Sequence, residues 1–322
     1  MLEELEPLAA SATAYAFAVV LGLLWGSFAN VCIYRWPPTD AHPRGRSVVR
    51  PGSHCFACRA PIRWYDNVPL VSWLWLRGRC RACKAPFSPR YLIVEALTGL
   101  LFGLAWWATT AHVPAELRGL FHAEPFDVRL IRFGIYAAFS LVMVVIAFID
   151  LDHKLILNKV TVPSIALFYA LGQLLPERTW WDGLVGIAVG YGVPWAIGEA
   201  YYRLTGREGL GLGDGMLLAL VGALVGWQGV LAALFGGSVI GAVIGVAALA
   251  IARRRARSHG EVAPGTTPPA GEGTDGGDDG DGGDSPSLMR TELPFGPFLA
   301  MAAVFYLHAE PWIRLYFRFP GG

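Results

Sequence analysis

The stretch GMLLALVGALVGWQGVLAALFGGSVIGAVIGVAALAI, residues 215–251, contains no charged side chain and is largely apolar. A helix needs about 20 apolar residues to span the hydrocarbon core of a bilayer. The stretch is therefore long enough for two spans, which we place at 214–227 and 229–251. Because a helix satisfies its backbone hydrogen bonds internally, as lipid requires, the stretch predicts a helical membrane protein.

The rest of the chain repeats this pattern. Of its 322 residues, 54% are hydrophobic and only 16% are charged, which is less charge than a soluble globular domain carries. The opening MLEELEP has no positively charged region of the kind that begins a secretory signal, so we expect the first helix to be retained. We predict an all-α polytopic membrane protein with about eight transmembrane helices, at 12–33, 91–110, 131–149, 160–175, 182–202, 214–227, 229–251 and 294–309.

These spans divide the chain into five parts. We expect a first membrane helix within 1–33, a small lobe at 34–90 (the cysteine lobe), a membrane core at 91–252, a linker at 253–292, and a last helix with the C-terminus at 293–322. The linker contains GTDGGDDGDGGDSPS, and its Gly and Asp content predicts disorder. A calcium-binding loop is the alternative, but the aspartate spacing does not match the EF-hand pattern.

Basic residues orient the chain in the membrane. Residues 34–90 contain 11 Lys and Arg against two acids, Asp40 and Asp66. Because loops rich in Lys and Arg stay on the cytosolic side, we place the cysteine lobe in the cytosol and both termini outside. The other basic clusters then also fall on the cytosolic side. The formal net charge is +1, so overall charge indicates no nucleic-acid partner.

The cysteine lobe carries two Cys-x-x-Cys pairs. Cys55 and Cys58 are separated from Cys80 and Cys83 by 21 residues. Two such pairs meeting at one tetrahedral ion form a common structural zinc site, and four thiolates leave no open position for a reactive water. A reducing compartment favours metal over disulfides, so we predict structural zinc, with four unliganded thiols as the alternative. Cys32 stands alone in an apolar stretch, and we expect it to be a buried apolar residue.

Two carboxylates stand at the ends of predicted spans. Asp150, in AFIDLDHKL, ends the third span, and Asp214, in GLGLGDGMLLAL, opens the sixth. The topology puts both at one depth on the cytosolic side, where ionisable groups are costly and indicate function. Such a pair can share a proton, so that one is the general base and the other polarises a scissile carbonyl. We predict that these two are the catalytic residues of an aspartic peptidase. The alternatives are that each is an interfacial cap, or that Asp150, Asp152 and His153 bind a metal.

The order of the motifs resembles the prepilin peptidase (type IV leader peptidase) family along nearly the whole chain apart from the linker. GSFANVCIYRWP at 26–37 resembles the family's GSFLNVVIYRLP, and the cysteine lobe resembles its zinc-bearing loop. Three further segments resemble family motifs in the same order: IDLDHKLILNKVT at 149–161, GLGLGDG at 209–215 and LPFGPFLAMAA at 293–303.

This resemblance implies a bifunctional enzyme of the bacterial inner membrane. One activity cleaves the leader of type IV prepilins, or of the pseudopilins of type II secretion, on the cytosolic side. The other N-methylates the new N-terminal residue with S-adenosylmethionine as donor. By position, the family's two aspartates are Asp150 and Asp214, and its zinc ligands are the four cysteines of the lobe. The family's Leu-Pro-Asp is here 156–158, Ile-Leu-Asn, and Met216 replaces a residue that is usually lysine; neither change removes a catalytic group.

Two other functions stay open on the sequence alone. One is a peptidase without methyltransferase activity; the other is a membrane transporter or scaffold that uses the aspartates as a proton relay. A relay needs carboxylates spread across the membrane depth, whereas these gather at one face, which favours the peptidase. No Gly-rich nucleotide-binding motif locates the methyl donor. Glu95, near the start of the second span, is a candidate for that role, and an interfacial role is equally open.

Overall fold

The computed structural model describes residues 11–111, 125–206, 211–258 and 294–317. Within these residues no β-strand forms, and the three β-bridges are isolated pairs inside the cysteine lobe. A short 3-10 helix, Trp64–Asn67, lies in that lobe, and a π-helical turn, Trp107–Ala111, follows the third α-helix. The α-helices of the described residues are α1 (Ala12–Arg35), α2 (Val71–Trp75), α3 (Arg90–Trp106), α4 (Phe126–His153), α5 (Asn158–Gly172), α6 (Trp180–Thr205), α7 (Leu212–Ser258) and α8 (Gly296–Phe317).

Four stretches are long and apolar enough to cross a membrane, judged by length and composition. They are Ala12–Arg35, Arg90–Thr110, Phe126–His153 and Leu212–Ile251. Helix α5 has only 15 residues, which is short for a full span. The predicted all-helical fold with several membrane helices is confirmed, while the count of eight spans stays a prediction.

Helix α7 covers both the sixth and the seventh predicted spans. Gly226 interrupts it with φ 76° and ψ −176°, a backbone conformation that essentially only glycine adopts. The interruption lies two residues before residue 228, where the sequence separated the two predicted spans. Helix α7 also continues through residues 253–258, where the linker was expected to begin. The remainder of the predicted linker, 259–292, lies outside the described residues.

Helices α6 and α7 pack against each other in antiparallel orientation through their glycines. A Cβ atom added at Gly186 would overlap the backbone of Gly222, and one added at Gly190 would overlap the backbone of Leu218. Small residues at such positions let the backbones of membrane helices approach closely. The N-terminal half of α7 is the most buried part of this core, with Leu217, Leu218 and Leu220 inaccessible to solvent. Asp214 lies about one turn before these buried leucines.

Helices α1 and α3 form a second close pair. A Cβ atom at Gly22 would lie 2.7 Å from Cβ of Phe102, and one at Gly26 would lie 2.8 Å from Cα of Glu95. The two helices flank the cysteine lobe in sequence. Their contact therefore brings the two ends of the lobe together and places Glu95 against α1.

Basic side chains fasten the cysteine lobe to the membrane helices. Lys159 at the start of α5 donates hydrogen bonds to the carbonyl oxygens of Trp36 and Arg44. Arg35 at the end of α1 donates to the carbonyl oxygen of Ser47 at 3.0 Å. These bonds satisfy lobe carbonyls and fix the lobe at the same end of the bundle as Asp150.

The opposite end of the bundle contains buried ion pairs. Arg178 pairs with Glu310, and each side chain is 4% exposed; Arg132 pairs with Glu177. Removing one partner of such a pair leaves an uncompensated buried charge, which is strongly destabilising. The pairs join the turn between α5 and α6 to α4 and α8, so they fix the position of this turn.

Candidate functional site

Asp150 occupies the last turn of α4 and is 6% exposed. The backbone N–H of Gly296, the first residue of α8, donates a hydrogen bond to its carboxyl group. The two residues are so close that a Cβ atom at Gly296 would lie 2.5 Å from Oδ2 of Asp150. Among the described residues, no ion pair joins Asp150 to a basic side chain. The carboxyl group is therefore oriented by a backbone donor and is not neutralised.

Asp214 lies in the first turn of α7 and is half-buried. It is close enough to Asp150 for the charge of one carboxylate to act on the other. A Cβ atom at Gly211 would lie 3.8 Å from Oδ2 of Asp214, and one at Gly213 would lie 3.1 Å from Cβ of Ile156. Gly213 thus lets the backbone pass close to Ile156 in the α4–α5 turn, whereas a side chain at Gly211 would make only an ordinary contact with the carboxylate.

Asp152 has a different environment, although it lies only two residues after Asp150. It forms an ion pair with Arg90, and the two side chains are 31% and 32% exposed. Arg90 also donates to the carbonyl oxygen of Phe148 at 3.2 Å and lies over the Phe148 ring. Among the described residues, Asp150, Asp152 and His153 do not form a cluster that could hold a metal ion. The geometry favours Asp150 over Asp152 as the partner of Asp214.

The two predicted catalytic residues therefore lie together where the end of α4, the start of α7 and the start of α8 meet. Two nearby carboxyl groups shielded from water can share one proton, which leaves one as a base and the other as an acid. Their catalytic role stays a prediction. Gly296 was not singled out from the sequence as a site residue; the signal for it was its place in the LPFGPF segment.

The four predicted zinc ligands form one cluster. All four Sγ atoms lie within 4.8 Å of one another, with Cys55 and Cys83 3.7 Å apart and Cys58 and Cys80 4.0 Å apart. Zn–S bonds of about 2.3 Å in tetrahedral geometry place sulfur atoms about 3.8 Å from one another. The cluster thus has the ligand type, number and spacing that structural zinc requires.

The two Cys-x-x-Cys segments have the same local fold. In each, the backbone N–H of the first cysteine bonds to a carbonyl five residues later, Cys55 to Ala60 and Cys80 to Ala85, both at 2.9 Å. The residue after each second cysteine turns left-handed, with φ 57° at Arg59 and φ 61° at Lys84. The sequence therefore builds two matching turns that present their sulfurs to a common centre.

One of the two acids of the cysteine lobe has a structural role. Asp66 accepts hydrogen bonds from Nε and Nη2 of Arg81 at 2.6–3.0 Å. These bonds hold the pKa of Asp66 below its usual value. The pair links the 3-10 helix to the second Cys-x-x-Cys turn and so supports the metal cluster.

Glu95 lies on α3 and faces the cysteine lobe. It is 8% exposed, and Oε2 accepts the backbone N–H of Leu70 at 2.9 Å. Leu70 has φ 57°, which is unusual for a leucine, so this backbone turns to direct its N–H at the carboxylate. Glu95 is therefore a buried contact between membrane helix and lobe.

Comparison with known proteins gives matches along most of the chain. Residues 20–109 match the Bacterial Peptidase A24 N-terminal domain, and residues 137–246 match the Type IV leader peptidase family. A Prepilin leader peptidase/N-methyltransferase of Myxococcus xanthus is 35% identical over 92% of this chain and 90% of its own length. A protein of the same description from Aeromonas hydrophila is 33% identical over 89% of this chain and 88% of its own length. Another from Neisseria gonorrhoeae is 35% identical over 72% of this chain and 82% of its own length. No solved structure matches.

Proposed function

The chain belongs to the type IV leader peptidase family, and from that membership we propose that it cleaves the leader of type IV prepilins and then N-methylates the new N-terminus. It is a multi-pass membrane enzyme. The relatives that cover most of its length are named for both activities, which favours the bifunctional enzyme over a peptidase alone or a transporter. Pseudopilins, whose cleavage would present the same chemistry, are proposed as further substrates.

The observation that supports the peptidase most directly is the meeting of Asp150 and Asp214. In the proposed reaction, one ionised carboxylate takes a proton from water while the water oxygen attacks the scissile carbonyl carbon. The other carboxyl, which is protonated, donates to the carbonyl oxygen. When the tetrahedral intermediate collapses, the C–N bond breaks and the leaving amine receives a proton. Water is thus divided between a new carboxyl and a new amine, with no covalent enzyme intermediate.

The residues around the dyad have supporting roles in this proposal. The N–H of Gly296 keeps the Asp150 carboxyl group in one orientation. Arg90 neutralises Asp152, so a third free carboxylate does not compete for the shared proton. The Arg-rich cysteine lobe at the same end of the bundle supports a cytosolic active site by the charge rule.

The cysteine lobe is proposed to bind one structural zinc ion through Cys55, Cys58, Cys80 and Cys83. Their sulfur spacing supports this assignment. Zinc stabilises so small a lobe because binding contributes directly to its folding. S-adenosylmethionine is the proposed methyl donor; when bound, it supplies a methyl group activated by a positively charged sulfur.

The test uses the full-length enzyme and a prepilin from the same cell. Co-expression followed by mass spectrometry of the pilin N-terminus should show loss of the leader and gain of one methyl group. Asp150→Asn and Asp214→Asn should each leave the leader attached. A prepilin that stays unprocessed with wild-type enzyme, when the enzyme is present in the membrane, would contradict the proposed activity.

A further inference from the structure

A cavity of about 490 Å³ lies between the cysteine lobe and helices α1 and α3. Pockets for small molecules typically have volumes of about 300–1,000 Å³ and combine apolar walls with a few polar groups. Neither Asp150 nor Asp214 lines this cavity. It is therefore a separate site from the carboxylate pair, at the same end of the bundle.

Glu95 is the buried acid of this cavity. Its carboxylate is held by the N–H of Leu70 and by the hydroxyl of Ser27. Among the described residues, no Lys, Arg or His side chain forms an ion pair with it. A buried charge is costly unless it is paired, so the carboxylate is suited to a ligand that brings a positive charge.

The walls supply aromatic faces. Phe56 contacts both Tyr34 and Phe87 edge-on, with ring centroids 5.1 Å and 6.2 Å apart, and Tyr91 and Trp73 line the same space. Aromatic faces stack on purine bases and attract cations. The cavity therefore fits a ligand that combines a purine ring with a cationic centre.

The lobe side of the cavity is basic. Its lining includes four arginines of the cysteine lobe, Arg35, Arg63, Arg79 and Arg81, and one acid of the lobe, Asp66, which pairs with Arg81. The lobe side therefore keeps a net positive charge. Guanidinium groups favour carboxylates, whereas Glu95 projects from the membrane helix. The charges of the cavity are thus divided between a basic lobe side and an acidic helix side, as a ligand with both a carboxylate and a cation requires.

We infer that this cavity is the binding site of the methyl donor, with the positively charged sulfur directed at Glu95 and the adenine ring on the aromatic wall. The inference rests on the proposed function, because it names the site at which the second activity occurs. S-adenosylmethionine carries a purine, a sulfonium cation and a carboxylate, which match the three features of the cavity.

A second cavity of about 280 Å³ adjoins this site at the end of α4. It shares Asn30, Tyr34 and Tyr91 with the first cavity and is also lined by Arg90 and Asp152. Asp152 lies two residues from Asp150, so the two cavities extend from the neighbourhood of the carboxylate pair to Glu95. The smaller cavity therefore lies on the side of the proposed donor site that is nearest the end of α4.

The test measures ligand binding to the full-length protein in detergent by isothermal titration calorimetry. Two ligands are compared: sinefungin, which has a protonated amine in place of the sulfonium, and S-adenosylhomocysteine, whose thioether is neutral. Glu95→Gln retains an oxygen for the N–H of Leu70 but loses the charge. It should weaken sinefungin binding about tenfold or more, the size of a charge-assisted hydrogen bond, and weaken S-adenosylhomocysteine binding much less.

A second variant and a control complete the test. Phe56→Leu removes an aromatic face and should weaken both ligands alike, by about fivefold or more, because both carry adenine. Glu199→Gln makes the same chemical change at a 37%-exposed residue of α6 that pairs with Arg203 outside the cavity, and it should bind both ligands as wild type does. Circular dichroism and a single gel-filtration peak establish that each variant is folded.

Two results would overturn the site. One is wild-type sinefungin affinity in Glu95→Gln; the other is an equal loss for the two ligands in that variant. If the wild-type protein binds neither ligand and leaves cleaved pilin unmethylated, the proposed methyl transfer itself fails. These outcomes separate an error about the site from an error about the function.

Discussion

Replacing Gly296 by alanine should selectively damage leader cleavage. The added Cβ would lie 2.5 Å from Oδ2 and 3.1 Å from Cγ of Asp150, whereas non-bonded atoms prefer about 3.5 Å or more. Either the carboxyl group or the start of α8 must then move by about 1 Å. A displacement of this size at a catalytic group costs about 100-fold in rate. We therefore expect kcat/KM for cleavage of a detergent-solubilised prepilin to fall about 100-fold.

The matched control is Gly192→Ala on α6. A Cβ atom at Gly192 meets no other residue within 4 Å, so this variant should cleave as wild type does. Helix α8 does not line the cavity between the lobe and α1, so Gly296→Ala should still methylate a peptide that begins at the mature N-terminus. Cleavage by Gly296→Ala within about threefold of wild type would mean that Asp150 does not need the position seen here.

Further variants test the dyad, the metal and the helix packing. Asp150→Asn should lose cleavage as completely as the double variant that also carries Asp214→Asn, because the pair acts as one unit. Asp152→Asn should keep most of the cleavage activity. If Asp152→Asn is inactive and Asp150→Asn is active, Asp152 and not Asp150 is the catalytic partner of Asp214. Elemental analysis should find about one zinc ion per chain in the wild type. Cys80→Ser should lower both this zinc content and the melting temperature. Wild-type protein that is purified without chelators and contains no metal would exclude the zinc site. Gly222→Ala should lower the melting temperature by several degrees, since its Cβ would overlap the backbone of Gly186. An unchanged melting temperature would contradict the α6–α7 contact.

The helices and the two clusters of site residues could be predicted from local sequence. Apolar blocks of span length predict membrane helices because lipid forces each segment to satisfy its own backbone. The positions of Asp150 and Asp214 followed from the topology, since the ends of successive spans alternate between the two faces. The cysteine spacing indicated zinc because the ligand geometry is nearly independent of the surrounding fold.

The contacts that distinguish otherwise similar residues could not be predicted from local sequence. Asp150 and Asp152 both lie near the end of one predicted span, and only the fold shows that Arg90 pairs with Asp152 while Gly296 approaches Asp150. Both partners are distant in sequence, so no local pattern encodes their proximity. The extension of α7 past residue 252 was missed for another reason: the basic residues at 253–257 end the apolar pattern that bounded the span, whereas the helix continues to Ser258.

Asp152 also has a structural role, although it is not one of the two proposed catalytic aspartates. Its ion pair with Arg90 joins the end of α4 to the start of α3, and both side chains border the smaller cavity. Since each is about one-third exposed, the pair is screened by water and contributes little stability. Its position therefore matters more than its strength. Cleavage must come before methylation, because the amine exists only after the peptide bond breaks. In the proposed function, the Arg90–Asp152 pair thus has two effects of position: it keeps the Asp152 carboxylate apart from the proton shared by Asp150 and Asp214, and it forms part of the wall of the smaller cavity.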